Sequence, residues 1–336
     1  MTQPFAHGRH RPEWFDDAAH SVYSVCRSQT AERAVPSAVT TSAKGIMTTT
    51  GTGKLPVRGY LLHITHYDPA WCKTKQTEKP FELAVGLDVI DAMAQAGLNL
   101  LLLDCKDGVK YASHPELARP YTQTMDVVRE LCSRAAAHGI EVSLKLNFSQ
   151  SALHQHNHWF RPHNALFDRP EYWQKAWEVI DELLSVAKPP RFFHIGMDED
   201  HWRSYTQYAQ AIDTLHRGLA QRGLRTLIWN DSACAWPEAE IHREKSLYAE
   251  ERILRDVIQV LWCYWDLDIT HLQRLRARGF DVWGAPGTDP NQVVVMRDAL
   301  RKYGGSGILL TRWMPCITEN RASLLDHIRA VGPLCA

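Results

Sequence analysis

Two carboxylates lie side by side in the stretch FFHIGMDEDHW, residues 192 to 202, where Asp198 directly precedes Glu199 at the end of a short apolar run. A pair of acids at the end of a buried strand suits general acid–base chemistry, because carboxyl groups give and take protons. A surface loop with solvated charge is the alternative. Side chains alternate along a strand, so both acids face one pocket only if the chain turns at Glu199, and we predict that turn.

Other acids, amides and tryptophans follow the remaining apolar runs of the chain. A single aspartate at such a place is more often a helix N-cap than a catalyst, and a single tryptophan is more often core. Together they predict a crater of acids ringed by tryptophans, a composition that fits carbohydrate chemistry. The residues are His66, Asp68, Asp104, Asp107, Asn147, Gln150, His201, Trp229, Asn230, Asp231, Trp262, Tyr264, Trp265, Asp266, Trp283, Asp289, Arg312, Trp313 and Glu319.

A regular alternation of apolar runs and helical patterns begins at residue 58 and positions these side chains. Eight short runs, among them GYLLHITHY, LNLLLLD and GILLTRW, are apolar enough to be strands buried on both faces. Each is followed by a segment with helical spacing. Eight such repeats over roughly 275 residues predict an α/β fold, the (β/α)8 TIM barrel. A doubly wound sheet is disfavoured, because no glycine-rich phosphate fingerprint follows the first strand.

Residues 1 to 57 differ from the rest of the chain. The stretch VPSAVTTSAKGIMTTTGTGKLPV is rich in Ser, Thr and Gly and has no sustained apolar period. We therefore expect residues 1–57 to form an N-terminal extension that is largely irregular or disordered, followed by a catalytic barrel over residues 58–336.

Charge and composition exclude several classes of partner. The chain has 38 basic and 38 acidic residues, which favours neither nucleic acid nor an anionic membrane. No apolar stretch has the length of a membrane span, and the N-terminus lacks the apolar core of a secretory signal. We expect a cytoplasmic protein. Its eight cysteines form no C-x-x-C pair, and we interpret them as free thiols.

The segment HQHNHW, with His154, His156 and His158, raises the question of a metal. Zinc sites use several histidines, but these three lie in a loop without a carboxylate partner in fixed register. A surface loop at the rim of the pocket is the favoured interpretation. His63 and His66 also miss the i, i+2 spacing that points two side chains to one side of a strand. We expect neither a metal nor a cofactor, and a metal hydrolase remains a minor alternative.

The same residues carry a resemblance to a known family. FHIGMDE resembles the H-x-G-G-D-E signature of family 20 glycoside hydrolases, the β-N-acetylhexosaminidases, and the single-domain hexosaminidase D type is the most similar in organisation. The likeness extends over most of residues 58 to 330. It includes LLLDCKDGVKY at the second strand, WND at residues 229 to 231, VLWCYWDLD at the sixth strand and GILLTRW at the eighth.

The resemblance implies roles for the matching residues. Glu199 would protonate the glycosidic oxygen and later activate water, a role for which we expect a pKa raised towards neutrality. Asp198 would orient the substrate acetamide and stabilise an oxazolinium cation. The substrate-binding residues would be Tyr264 at the acetamide oxygen, Trp229, Trp262 and Trp313 as walls, Asp107 and Asp231 in the pocket, and His194 behind the acid pair.

Several positions depart from the pattern of the family. Met197 replaces the second glycine of the signature, and Cys263 stands where the relatives carry an aspartate. The third strand ends in NFSQ instead of F-G-H, which we expect to remove a histidine from the pocket. The seventh strand reads WGAPGTDPN, and no arginine ends the first strand. These changes concern the identity of the sugar and the residues that bind its hydroxyls.

The leading hypothesis is a retaining exo-β-N-acetylhexosaminidase that acts on terminal β-linked GlcNAc or GalNAc of a small carbohydrate or a glycoconjugate. A barrel glycosidase that acts on a non-acetamido sugar is the first alternative, and it would need a nucleophile such as Asp104 or Asp231. A non-catalytic sugar-binding barrel is the second. We expect no nucleic-acid or membrane partner, and a homodimer is left open.

Overall fold

The structure is a computed structural model that describes residues 53–67, 77–152, 154–236 and 239–336. Contacts divide the chain into two units, of which the larger is formed by residues 48–70 and 76–336. The smaller unit, residues 1–47 and 71–75, lies outside the described residues. The expectation of an irregular N-terminal extension falls mainly on that part of the chain and stays a prediction, as does the placement of Asp68.

The larger unit is a closed barrel of parallel strands, in which each strand pairs with the next along the chain and the eighth pairs with the first. This confirms the predicted (β/α)8 fold. The strands are β1 Val57–His63, β2 Leu100–Asp104, β3 Glu141–Lys145, β4 Phe192–His194, β5 Arg225–Asn230, β6 Ile258–Trp262, β7 Val282–Ala285 and β8 Gly307–Thr311.

Continuous apolar runs form these strands because both of their faces are buried. In β2, Leu100 and Leu102 belong to the cluster inside the barrel, whereas Leu101 and Leu103 belong to the cluster that packs against the helices. All five residues of β2 are buried. Neither face of the strand meets water, so apolar and polar residues have no reason to alternate along it.

Helices surround the barrel and follow the strands in chain order. Their ends agree with the local sequence signals. Pro170 and Pro290 each open a helix, and Gly304, in a left-handed conformation, ends the helix that Pro290 opens. The helices are α1 Leu83–Gln95, α2 Asp126–Ala137, α3 Pro170–Ala187, α4 Tyr205–Gln221, α5 Glu240–Glu250, α6 Ile269–Ala277, α7 Pro290–Tyr303 and α8 Arg321–Val331. In the described residues, every helix is too short or too polar to cross a lipid bilayer.

Three residues of the expected crater serve other purposes. Asp289 caps α7 by accepting a hydrogen bond from the backbone of Asn291 at 2.8 Å. Trp283 lies inside the barrel, where its ring nitrogen donates to Ser306 Oγ at 2.9 Å beside the start of β8. Glu319 is half exposed and pairs with Lys79. The catalytic interpretation is therefore limited to the other strand ends.

We expect Gly307→Ala to destabilise the barrel. A Cβ at Gly307 would lie 2.6 Å from Cδ2 of Trp283, a buried ring that also packs edge-on against Phe192 and has no room to move. Overpacking of this kind costs about 1–3 kcal/mol. Urea denaturation measures the change in unfolding free energy, with Gly53→Ala as the control because that Cβ would meet no atom within 4 Å. Equal stability of the two variants would contradict the packing argument.

Candidate active site

The chain turns sharply between the end of β4 and Glu199, as predicted. Gly196, Met197 and Glu199 have positive φ values of 73°, 77° and 50°. Only glycine fits at the first of these positions, because a Cβ on Gly196 would lie 2.1 Å from Oδ1 of Asn147. The conformation is uncommon for methionine and glutamate, so other contacts must hold it.

Asn147, which follows β3, supplies most of these contacts. Its Oδ1 accepts hydrogen bonds from the backbone N–H groups of Met197 at 3.1 Å and Ser149 at 3.0 Å. Its Nδ2 donates to Oδ1 of Asp198 at 2.7 Å. One amide side chain therefore fixes both the backbone of the turn and the direction of the first carboxylate.

His194 supports the turn from below. Its Nδ1 accepts a hydrogen bond from the backbone N–H of Gly196 at 3.0 Å, so the ring proton lies on Nε2. Burial, together with the charge of Lys145, lowers the pKa of His194 well below its ordinary value. The neutral ring packs 4.5 Å from the ring of Trp229. This is the position behind the acid pair that the resemblance implies.

Glu199 is bound at both its backbone and its side chain. Its N–H donates to Oδ2 of Asp231 at 2.8 Å, and its carboxylate forms an ion pair with Nε2 of His154. The side chains of His154 and Glu199 are 5% and 11% exposed, so the pair is largely shielded from solvent.

The ion pair contradicts two expectations from the sequence. Burial raises the pKa of Glu199, but the charge of His154 and its hydrogen bond outweigh burial, so the pKa lies below its ordinary value instead of being raised towards neutrality. His154 is also not part of an exposed rim. The NFSQ segment that follows β3 contains no histidine, but the loop after it places His154 directly against Glu199. The site therefore keeps a histidine.

Asp198 has the opposite pKa shift. Burial raises the pKa of Asp198, the charge of Lys145 opposes this, and the neighbouring charge of Glu199 adds to it. The two adjacent acids therefore differ in proton affinity because His154 forms a hydrogen bond with Glu199 but not with Asp198. Environments that separate two pKa values in this way are typical of acid–base sites.

Asp231, at the end of β5, links the acid pair to the aromatic wall. Its Oδ1 accepts from the ring nitrogen of Trp262 at 2.7 Å, while its Oδ2 accepts from the backbone of Glu199. Burial and the charge of Asp198 raise the pKa of Asp231 well above its ordinary value. Through these two hydrogen bonds the carboxyl group of Asp231 positions Trp262 and the backbone of Glu199.

The aromatic wall is continuous from β6 to β8. The ring nitrogen of Trp313 donates to the hydroxyl of Tyr264 at 2.9 Å, and the ring of Trp262 lies 5.3 Å from that of Tyr264. Burial raises the pKa of Tyr264, and Asp198 is near enough to raise it further, so the phenol keeps its proton. Trp229 contacts Trp313 edge-on at 5.9 Å from inside the barrel.

Asp107 follows β2 and has its contacts on the β1–β2 side of the barrel. It is buried, and its Oδ1 accepts from the hydroxyl of Thr65 at 2.7 Å. Burial raises the pKa of Asp107, and hydrogen bonds from Thr65 and Tyr121 oppose this shift. Its carboxylate is thus already engaged by protein hydroxyl groups on the β1–β2 side of the barrel.

A buried ionic network holds the segment that follows the acid pair. Asp200 accepts from Arg203 at 2.8 Å and from the backbone of Gln150 at 2.9 Å, and Lys245 donates to its backbone carbonyl at 2.5 Å. Arg203 also bonds Asp168 through two guanidinium nitrogens. Sequence reasoning missed this network, although a third acid directly after Asp198 and Glu199 was a signal for it.

Comparison with known proteins establishes a fold relationship. No family model and no curated protein matches the chain. Among solved structures, a glycoside hydrolase family 20 β-N-acetylglucosaminidase superimposes with a TM-score of 0.59 at 15% identity, covering 84% of this chain and 70% of that chain. An exo-β-N-acetylglucosaminidase from Vibrio harveyi, solved with N-acetylglucosamine, gives a TM-score of 0.58 at 15% identity, with coverages of 84% and 54%.

A third structure, Dispersin B, gives a TM-score of 0.55 at 14% identity and is covered over 98% of its length by 83% of this chain. The chain thus spans 70% of the first neighbour and 54% of the second, but nearly all of Dispersin B. The chain has the barrel fold of family 20 glycoside hydrolases. At these identities the likeness defines the fold, and the activity has to be argued from the site.

The ion pair between His154 and Glu199 predicts a defined pH dependence of stability. The pKa of Glu199 is lowered from 4.5, so its contribution is present above about pH 4.5 and is lost as the pH falls through the folded-state pKa. The pKa of His154 is raised from 6.5, so its contribution is complete below about pH 6.5 and is lost as the pH rises through the folded-state pKa. The pair stabilises most between these limits.

We expect His154→Gln to lower the unfolding free energy by about 3 kcal/mol near pH 5.5, as for other broken buried pairs, and by less above pH 8. Urea denaturation of both proteins across this pH range measures the difference. A difference that does not change with pH would show that His154 acts through packing alone.

Proposed function

We propose that the protein is a retaining exo-β-N-acetylhexosaminidase that removes terminal β-linked GlcNAc or GalNAc by substrate-assisted catalysis. The observation that supports this proposal is the turn after β4 that carries Asp198 and Glu199, in which the backbone of Glu199 donates to Asp231, the carboxylate that also accepts from Trp262 beside Tyr264. The fold of the family 20 enzymes supports it. A small carbohydrate or a glycoconjugate would be the substrate.

In the first step, the acetamide oxygen of the substrate forms a bond to the anomeric carbon while the glycosidic bond breaks. Glu199 gives its proton to the departing glycosidic oxygen. Asp198 accepts a hydrogen bond from the acetamide N–H and stabilises the positive charge of the oxazolinium ion. Asn147 holds Asp198 for this task through its 2.7 Å hydrogen bond. In this proposal the hydroxyl of Tyr264 donates a hydrogen bond to the acetamide oxygen.

In the second step, Glu199 removes a proton from water, and the water oxygen attacks the anomeric carbon as the oxazolinium ring opens. Two successive displacements at the same carbon retain its configuration. Since Glu199 ends the cycle protonated, the same carboxyl group serves as acid and as base.

The ion pair determines where the catalytic proton is held. Because the pKa of Glu199 is lowered from 4.5 and that of His154 is raised from 6.5, the pair holds one proton at least between these two values. The two pKa shifts favour the proton on Nε2 of His154, which contacts Oε2 of Glu199. Transfer across this contact produces the neutral acid that the first step requires.

The site offers poor nucleophiles for a sugar without an acetamide group. Asp231 uses both oxygens to accept hydrogen bonds and has a strongly raised pKa. Asp104 accepts from His63 at 2.9 Å and from Lys145 at 3.1 Å, and Lys106 lies 3.4 Å away. All three contacts of Asp104 are made by its Oδ2, whereas its Oδ1 has no hydrogen-bond partner among the described residues, and the side chain is fully buried. The hydrogen bonds on both oxygens of Asp231 and the burial of Asp104 favour the acetamido mechanism over the non-acetamido alternative.

We expect turnover of aryl β-glycosides that carry a 2-acetamido group and no turnover of the matched glycosides that lack it. Glu199→Gln should lower kcat/KM for an unactivated leaving group at least ~100-fold, since general acid catalysis contributes about 10²–10⁴-fold. Asp198→Asn should lower kcat by a similar factor, because it no longer stabilises the cation. Release of the aryl group measures these rates.

Glu141→Gln is the control, because Glu141 pairs with Arg191 at the start of β3, at the opposite end of the barrel. It should leave the rates unchanged. Turnover of the plain glycosides at equal rate would support a glycosidase that uses a nucleophile. Binding of acetamido sugars with no turnover would instead favour a sugar-binding barrel.

The pH profile of kcat/KM should depend on His154. In the wild-type protein the basic limb should lie above pH 6.5, because the raised pKa of His154 governs loss of the shared proton. In His154→Gln the proton is held by Glu199 alone, so the basic limb should move to lower pH. A basic limb that stays in place in the variant would exclude His154 as the holder of the proton.

A further inference from the structure

A second cluster of ionisable side chains lies outside the acid pair. His114 and Glu116 belong to the connection between β2 and α2, and His163 lies in the short helix Arg161–Leu166 between β3 and α3. Glu178 contributes from α3. No step of the proposed reaction uses these residues. Both connections leave the carboxyl ends of their strands, so the cluster joins two loops on the same face of the barrel.

Three donor atoms of the cluster converge on a small volume. Nδ1 of His114 lies 2.8 Å from Oε1 of Glu116, and Nε2 of His163 lies 3.2 Å from the same oxygen. All three atoms lie within 4.8 Å of one another. Ligands of a tetrahedral zinc ion, at bond lengths of about 2.0–2.1 Å, are roughly 3.3 Å apart. The cluster therefore needs only small shifts to bind an ion at its centre.

His114 has a carboxylate oxygen on each side of its ring, and the tautomer that donates to Glu178 is the one that suits a metal ligand. Nε2 of His114 lies 2.8 Å from Oε2 of Glu178. A neutral ring that donates from Nε2 directs the lone pair of Nδ1 at the carboxylate of Glu116, where two acceptors meet without a proton. A cation between them removes this repulsion. Metal-binding histidines usually donate their second ring N–H to a carboxylate in this way.

A doubly protonated His114 that donates to both glutamates would also satisfy these two contacts. That protonation state would still leave Nε2 of His163 without a hydrogen-bond partner in the described part of the chain. His163 is 6% exposed, and its Nε2 has no hydrogen-bond partner among the described residues, although Oε1 of Glu116 is only 3.2 Å away. A buried acceptor nitrogen without a partner is costly, and a metal ion would satisfy it.

We propose that His114, Glu116 and His163 bind a zinc ion, with Glu178 orienting His114. Two imidazoles and one carboxylate suit zinc, whereas calcium and magnesium require oxygen ligands. The side chain of Glu116 is 43% exposed, which leaves room for water as a fourth ligand. The ion would crosslink the β2–α2 and β3–α3 connections. The second connection carries His154, so the crosslink would stabilise a loop of the acid pair without contact with substrate.

The test is zinc binding to the full-length protein, produced without a histidine tag and stripped with a chelator. Isothermal titration calorimetry with Zn²⁺ should give a stoichiometry of one, and Co²⁺ should give the visible absorption of a low-symmetry site. Glu116→Gln and His163→Ala should weaken binding by more than about 100-fold, and Glu178→Gln by about 10–100-fold. Circular dichroism checks folding, and Glu116→Gln is the safer variant because its side chain is partly exposed.

Two controls separate this site from other histidines. His138→Ala should leave zinc affinity unchanged, because His138 pairs with Asp91 on the surface of α1 and α2. His158→Ala should also leave it unchanged. Loss of binding in His158→Ala, equal affinity in all variants, or no stoichiometric binding would each overturn the proposal. Since the readout is binding, the result is independent of whether the protein hydrolyses hexosaminides.

Discussion

The site depends on one constraint, which is that the carboxylates of two consecutive residues, Asp198 and Glu199, must lie close enough to affect each other's proton affinity. A regular strand cannot do this, because neighbouring side chains point to opposite faces. The chain meets the constraint with positive φ values at Gly196, Met197 and Glu199. Left-handed backbone costs a non-glycine residue about 1–2 kcal/mol. The hydrogen bonds from Met197 to Asn147 and from Glu199 to Asp231 offset a cost of this size.

The same contacts that hold the turn also set its electrostatics. Asn147 bonds Asp198 with a neutral donor, so burial dominates there and raises the pKa. Glu199 receives an imidazole instead, and its pKa is lowered. Asp231 accepts hydrogen bonds from two neutral N–H donors, and burial raises its pKa well above the ordinary value. Proton affinity in the site therefore follows from the partner of each acid.

The sequence was sufficient for the fold because the fold depends on local patterns. The run Leu100–Leu103 is apolar throughout, which is what a strand between a barrel core and a helix layer requires. The positions of Asp198, Glu199, Asp231 and Tyr264 could be predicted for the same reason, since each lies within five residues of the end of a strand that the pattern identifies. Their strand ends meet at one face of any such barrel.

The partners of these residues could not be predicted, because they come from loops whose paths depend on the folded structure. His154 lies 45 residues before Glu199 in a polar segment without periodicity, and nothing local indicates that it turns inward. That single contact reversed the expected pKa shift of Glu199. An apolar pocket alone would have raised it, as in other buried acids. Because of this contact, proton affinity in the site is a property of His154 and Glu199 together. The β3–α3 loop, which carries His154, therefore affects the site as much as β4 and its turn, which carry the acids.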